Sequence, residues 1–480
     1  PLPPPRPKMI DVPPRSRAAL VSQACICAVI AVSLAEIVHP APALGWIAGA
    51  AIAVYFALEW RRFTLASWVP VGLSAALLAL ALARGVAPAA IEDGLARMAF
   101  LASLLALLGI LRVVAGDAPA IAEAGRYLTA QPPGRRYLAL ASGGNIFGLL
   151  INLGGLAILL EMAVRALDAD TRASAAVRAV RLRRMTVAVL RGFSLLPLWS
   201  PFGFGMNTLL LAMPGLSYAR LGPPGIAVAL VFLAAGWVLD RATAPARTPG
   251  VTPAHAEPGD RAGLIRLILH VAALGALVFA IGEVARQDFQ HALLLAVPAY
   301  SLGWAAVLGR HQPGGAGAAV RRTAVMTVRR FPLAAGEIAI FASAGLLSVL
   351  ALELIPVERV QALVASLHAS GGVVIVALNL TLFGLASLGI NPIITAAVAG
   401  ALVTRLDIPG LTDLAAALSL AGSWSLVMIF SPVITTVAYA AALVGQTPVT
   451  VGPRWNGVYC LAGLVLWTGA MAGLVKLGWV

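Results

Sequence analysis

A chain of 480 residues that is 60% hydrophobic and 11% charged, with a mean hydropathy of +0.91, cannot be a soluble domain. Its apolar runs are about 20 residues long and show no strand alternation, which excludes a β-barrel and leaves an all-α polytopic membrane protein. The formal net charge of +14 sits in short loops between those runs, so it reports membrane orientation and not nucleic-acid binding.

Residues 1–17 are a Pro/Arg-rich tail with too little apolar surface to fold, expected to be disordered and cytoplasmic. The run 18–38 is too long for a signal-peptide core and is expected to be a leader transmembrane helix. Further runs follow at 41–58, 64–83, 95–115, 138–164, 187–213 and 225–239. After a linker at 240–263 come 264–284, 291–308, 333–353, 371–404, 421–446 and 455–476. Cys25, Cys27 and Cys460 lie inside apolar runs without metal-ligand spacing and read as small core residues. His39, His270, His291 and His368 do not cluster, so neither a metal nor an organic cofactor is expected.

Two runs are unsuited to simple spans. Residues 138–164 hold Gly143, Gly144, Asn145, Asn152, Gly154 and Gly155; residues 371–404 hold Asn379, Thr381, Gly384, Gly389, Asn391, Pro392 and Gly400. Each reads as two short helices joined by a polar tip, a re-entrant hairpin that returns to its starting side. Charge supports this. With a cytoplasmic N-terminus and two hairpins, 27 of the 34 basic residues fall inside; with two spans instead, only 14 do, against the positive-inside rule. The C-terminus then lies outside.

Two other runs are interrupted at membrane depth. In 195–208, LLPLWSPFGFGMNT, Pro197 and Pro201 remove amide donors, Gly203 and Gly205 loosen the chain, and Ser200, Asn207 and Thr208 add polar atoms. A packed proline kink would explain this locally. The second copy, FSPVITT at 430–436, favours a pair of discontinuous helices. Ile146–Leu149 (IFGL) matches Leu382–Leu385 (LFGL), Ser200–Pro201 matches Ser431–Pro432, and Pro223 matches Pro453, at offsets of 236, 231 and 230. Each unit has an odd number of crossings, so the second copy is inverted. The predicted architecture is about 11 transmembrane helices plus two hairpins. Repeat 1 is 41–239 (scaffold 41–115, hairpin 138–164, broken helix 187–213), and repeat 2 is 264–480 (scaffold 264–353, hairpin 371–404, broken helix 421–446).

That order of elements resembles the ion transporter superfamily, in particular the divalent anion/sodium symporters, with the membrane subunits of TRAP transporters as cousins. The resemblance covers roughly 40–480 and is architectural. The symporters' Ser-Asn-Thr motif is not intact in either hairpin. The resemblance implies a secondary transporter of a small organic anion in the bacterial inner membrane, working as an elevator, with sodium or a proton as coupling ion. It also implies a homodimer. Rival readings are the membrane subunit of a TRAP-like system and an integral membrane enzyme or assembly factor of envelope biogenesis. For the enzyme reading, no catalytic constellation is present in the sequence.

The candidate substrate and ion ligands are Asn145, Ser200, Asn207, Thr208, Asn379, Thr381, Asn391, Ser431 and Thr435. Amide and hydroxyl side chains complete a shell begun by unpaired backbone groups, and helix N-termini favour an anion. No Asp or Glu lies in 185–239, 371–404 or 421–446, and no Arg or Lys lies at the hairpin tips. An anion is therefore expected to be held by dipoles and amides. Trp199, Phe202, Phe204, Trp424 and Phe430 flank the breaks and would favour a partly apolar cargo if they line the site. Arg112, Glu161, Glu337 and Glu353 lie near run ends and are expected to snorkel. Arg165 to Arg184 is expected to form an amphipathic cytoplasmic helix on anionic lipid.

Overall fold

A computed structural model describes residues 16–41, 43–170, 174–244 and 260–479. The tail before Ser16 and most of the 240–263 linker lie outside those residues, as do Arg172 and Arg247. The chain begins with α1 (Arg17–Val38), α2 (Ala43–Glu59), α3 (Leu65–Ala83) and α4 (Pro88–Asp117). A short α5 (Pro119–Thr129) leads into the hairpin α6 (Pro133–Ile151) and α7 (Leu153–Asp168). The next crossing is broken into α8 (Ala175–Phe193), α9 (Leu196–Trp199) and α10 (Phe204–Ala212), and α11 (Tyr218–Ala242) closes the first half. The second half runs α12 (Ala262–Ala285), α13 (Phe289–Gly309), and α14 (Gly315–Arg330) leading into α15 (Ala335–Leu354). It continues with α16 (Val357–Ser366), the hairpin α17 (Gly371–Ser387) and α18 (Pro392–Val403), the broken α19 (Asp413–Val427) and α20 (Thr435–Leu443), and α21 (Trp455–Lys476).

Among the described residues, ten segments are long and apolar enough to cross a membrane. The α19–α20 crossing is divided by its break into helices of 15 and 9 residues, each too short alone. The protein is an all-α polytopic membrane protein built of two inverted repeats behind an extra helix. Inversion is visible where α4 meets α15. Gly94 faces Leu346, Gly345 faces Arg97, and Arg112 meets Glu337, so residue numbers rise along one helix as they fall along the other.

Both hairpins return to the face they leave. For the first, Arg241 bonds the Gly134 carbonyl, Arg184 pairs with Asp240, and Arg181 pairs with Asp170, so both ends share one arginine-rich face. For the second, Gly371 donates to the Pro409 carbonyl, and Gln361 exchanges two bonds with the backbone of Asp407. The halves interlock, because α10 packs on α18 of the other repeat and α20 packs on α7. Within a repeat, α6 and α8 meet backbone to backbone. A Cβ on Gly192 would collide with the Ala141 carbonyl, and one on Gly144 with that of Val189.

One expectation changes here. Arg165 to Arg184 is not a separate surface helix: Arg165 ends α7, and Arg178, Arg181, Arg183 and Arg184 begin α8, which continues into the broken crossing. Arg191, further along α8, is buried, bonded to Asn456 and 4.3 Å from the centre of the Tyr459 ring. The amphipathic connectors are instead α5, between α4 and the first hairpin, and α16, between α15 and the second. In α5, Ala120, Ile121, Ala124 and Leu128 form one buried face. The α16 helix has no buried residue and turns 119° into α17, the geometry of a helix lying in the membrane interface.

Candidate functional site

The broken crossings are possible only because specific groups receive the carbonyls they free. Pro197 and Pro201 end the α8–α9 ladder. Tyr218 then donates its hydroxyl to the Trp199 carbonyl at 3.0 Å. The Asn207 side-chain amide closes on the carbonyls of Pro201 and Gly203 at 3.0 and 2.9 Å. At the far end of α10, Arg97 Nη1 reaches the Leu211 carbonyl at 2.6 Å. The α19–α20 break is closed by turn bonds, with Ser431 donating to Val427 and Ile434 donating to Ser431.

All four interruptions open on one cavity of about 210 Å³. Asn152 and Leu153 bring the first hairpin tip, and Gly389 and Asn391 bring the second. Ser200 and Gly203 come from the first break, and Ile434, Thr435 and Thr436 from the second. The remaining wall comes from Ala66 of α3, Leu108 and Arg112 of α4, and Glu337 and Phe341 of α15. The wall is largely apolar, with Phe204, Phe341, Trp424 and Met428 prominent in it.

Of the nine candidate ligands, Ser200, Asn391 and Thr435 line this cavity. The Ser200 hydroxyl is buried and makes no hydrogen bond to another protein group. Asn391 accepts the Ile393 amide at 3.0 Å and so caps α18. Asn207 and Thr208 are buried beside the first break, with the Asn207 side-chain oxygen and the Thr208 hydroxyl unpartnered, and neither lines the cavity. Ser431 is likewise buried and unpartnered behind the second break. Thr381 is exposed along α17, away from the cavity.

Asn145 and Asn379 sit within α6 and α17, before the tips. Asn145 donates to the Gly192 carbonyl at 3.0 Å. Asn379 donates to Thr468 at 3.1 Å and accepts from Ser419 at 3.0 Å. Both tie a hairpin helix to the broken helix of its own repeat. The tip asparagines are Asn152 and Asn391. Asn152 joins α6 to α7 at φ 55° and ψ −133°, a backbone conformation that glycine accepts more readily.

The aromatic residues divide: Phe202, Phe204 and Trp424 line the cavity, whereas Trp199 and Phe430 do not. Arg112 and Glu337 do not snorkel outward. They face the cavity as an ion pair, Nη1 to Oε2 3.1 Å, with side chains 21% and 39% exposed. The Arg112 guanidinium also lies 5.5 Å from the centre of the Phe204 ring, which packs on Phe341 at 4.1 Å. A run-end position in the sequence concealed this pair. The signal in the sequence is Arg112 itself, a charge inside the apolar run 95–115, since ionisable groups at membrane depth mark functional sites.

No family model matches the chain, and no curated protein does. Among solved structures it is similar to the YdaH transporter of Alcanivorax borkumensis, whose crystal structure is described as having an unusual topology. The TM-score is 0.51 and the identity 17%, over 79% of this chain and 85% of that one. At that identity the likeness speaks for the fold alone: the chain shares the fold of that protein, and neither cargo nor role follows from it.

Proposed function

We propose that the protein is a secondary active transporter that carries a small organic anion across the bacterial inner membrane by an elevator movement. The observation that supports this most is that four interruptions of helical backbone, two from each inverted repeat, meet at one cavity. Unwound backbone in a bilayer persists only where it serves a cavity, and paired half-helix termini suit an anion and its coupling cation. On this reading α2–α4 and α12–α15 are the static scaffold, and the hairpins with α8–α11 and α19–α21 move. The connectors α5 and α16 are placed where hinges between those parts are needed. The unpartnered oxygens of Ser200, Asn207, Thr208 and Ser431 supply neutral donors of the kind sodium takes. The arginine-rich face is cytoplasmic, and the protein acts as a homodimer.

Reconstitution tests the reading. Purified protein in proteoliposomes is expected to take up at least one of labelled acetate, benzoate, phenylacetate or succinate above empty vesicles, driven by a sodium or a proton gradient. Uptake of none of them contradicts it. Uptake only after adding a soluble binding protein would favour the TRAP-like alternative.

A further inference from the structure

We propose that Arg112 anchors the carboxylate of the cargo, and that Glu337 occupies that anchor when the cavity is empty of cargo. This rests on the reading of the cavity as the cargo site. Among the described residues, Arg112 is the one basic side chain lining the cavity, and its one hydrogen bond goes to Glu337. A guanidinium has five N–H donors in a fork shaped for a carboxylate, and among the described residues Arg112 uses only one of them on a protein acceptor. Glu337 is thus a resident stand-in for the carboxylate of a ligand.

A purely structural pair is a weaker account. Part-exposed ion pairs add little to stability. The α4–α15 contact is already close-packed through Gly94 and Gly345, where an added Cβ would collide with the opposite helix. The pair also lacks a mirror. The offset of 238 that carries Pro119 onto Val357 carries Arg112 onto Leu350 and Ala99 onto Glu337. The anchor therefore exists at one end of the scaffold only, and cargo meets it when both hairpin tips stand against that end.

The cavity also limits what the anchor can hold. About 150 Å³ of apolar cavity admits benzene, and drug-sized ligands need about 300 Å³ or more, so 210 Å³ suits one ring with a small substituent. Phe204, Phe341 and Trp424 favour an apolar ring. A second carboxylate would find no second cation and would face Glu337. The class is a small aromatic monocarboxylate.

Calorimetric titration of the purified protein with benzoate, and with benzamide as its neutral isostere, tests this. Wild type is expected to bind benzoate more tightly than benzamide. Glu337→Gln removes the competitor and is expected to tighten benzoate about five-fold. Arg112→Gln is expected to abolish the preference for benzoate, Arg112→Lys to retain part of it, and the double variant to behave as Arg112→Gln. Equal binding of the two probes by wild type, or binding of neither, overturns the proposal. So does a weakening of benzoate by both single variants that the double variant restores, the pattern of a structural pair. Arg112-dependent binding without benzoate uptake in proteoliposomes would uphold the anchor and count against transport of that acid. Uptake indifferent to Arg112→Gln would uphold transport and overturn the anchor.

Discussion

Asn379 accepts the Ser419 hydroxyl through its side-chain oxygen at 3.0 Å, tying α17 to α19 ahead of the hairpin tip. Its amide reaches Thr468 of α21 at 3.1 Å, so three helices of one repeat meet on one fully buried side chain. Asn379→Ala removes both bonds and leaves two buried hydroxyls without that partner. At about 0.6 kcal/mol per interhelical bond, plus the unsatisfied groups, the loss is expected to be about 2 kcal/mol. Thermal unfolding in detergent should show it as a lowered midpoint, with carboxylate affinity unchanged in the folded fraction. Lost affinity at an unchanged midpoint would instead make Asn379 a ligand contact.

The tip at Asn152 is expected to respond in the opposite sense. Its φ of 55° with ψ of −133° is a glycine-like conformation held by an asparagine at the cavity wall. Asn152→Gly should therefore raise stability by about 1 kcal/mol, the lower end of the cost of such strain. A lower unfolding midpoint would show that the asparagine side chain contributes more than its backbone costs.

Close packing gives a third, paired expectation. Gly192→Val places a side chain against the Ala141 carbonyl and should force α6 from α8, yielding aggregated protein on size-exclusion chromatography. Gly303→Val, on an exposed face of α13 with nothing within 4 Å of its added Cβ, should elute as wild type. Equal behaviour of the two variants would contradict the packing described for α6 and α8.

Much of this fold was legible because membrane insertion imposes few alternatives. Runs such as 18–38 and 455–476 became α1 and α21 almost residue for residue, since an apolar segment of that length has one stable conformation in lipid. The breaks were legible for a related reason: Pro197 and Pro201 cannot donate, so the ladder had to stop there. The hairpin tips were harder. A glycine-rich segment such as 142–145 signals close helix approach as readily as a turn, and here it packs α6 on α8 while the turn falls at Asn152. The Arg112–Glu337 pair was hidden because it joins residues 225 apart, each placed near the end of an apolar run. Arg191 was hidden similarly, its acceptors being Asn456 and the Gly236 carbonyl, neither of them a carboxylate that charge pairing would reveal.

On the proposed function, cargo binds in the cavity shared by both tips and both breaks. Thr435 lines it, is exposed to it, and begins α20 without holding a side-chain cap, so Thr435→Trp fills the space with little structural cost. Leu388 stands beside the second tip, 83% exposed, and does not line the cavity. For whichever labelled carboxylate wild type takes up, initial uptake into proteoliposomes is the decisive measurement. Thr435→Trp is expected to fall to the level of empty vesicles while Leu388→Trp stays within about two-fold of wild type, a difference of less than 1 kcal/mol. Undiminished uptake by folded Thr435→Trp protein would contradict cargo binding in that cavity.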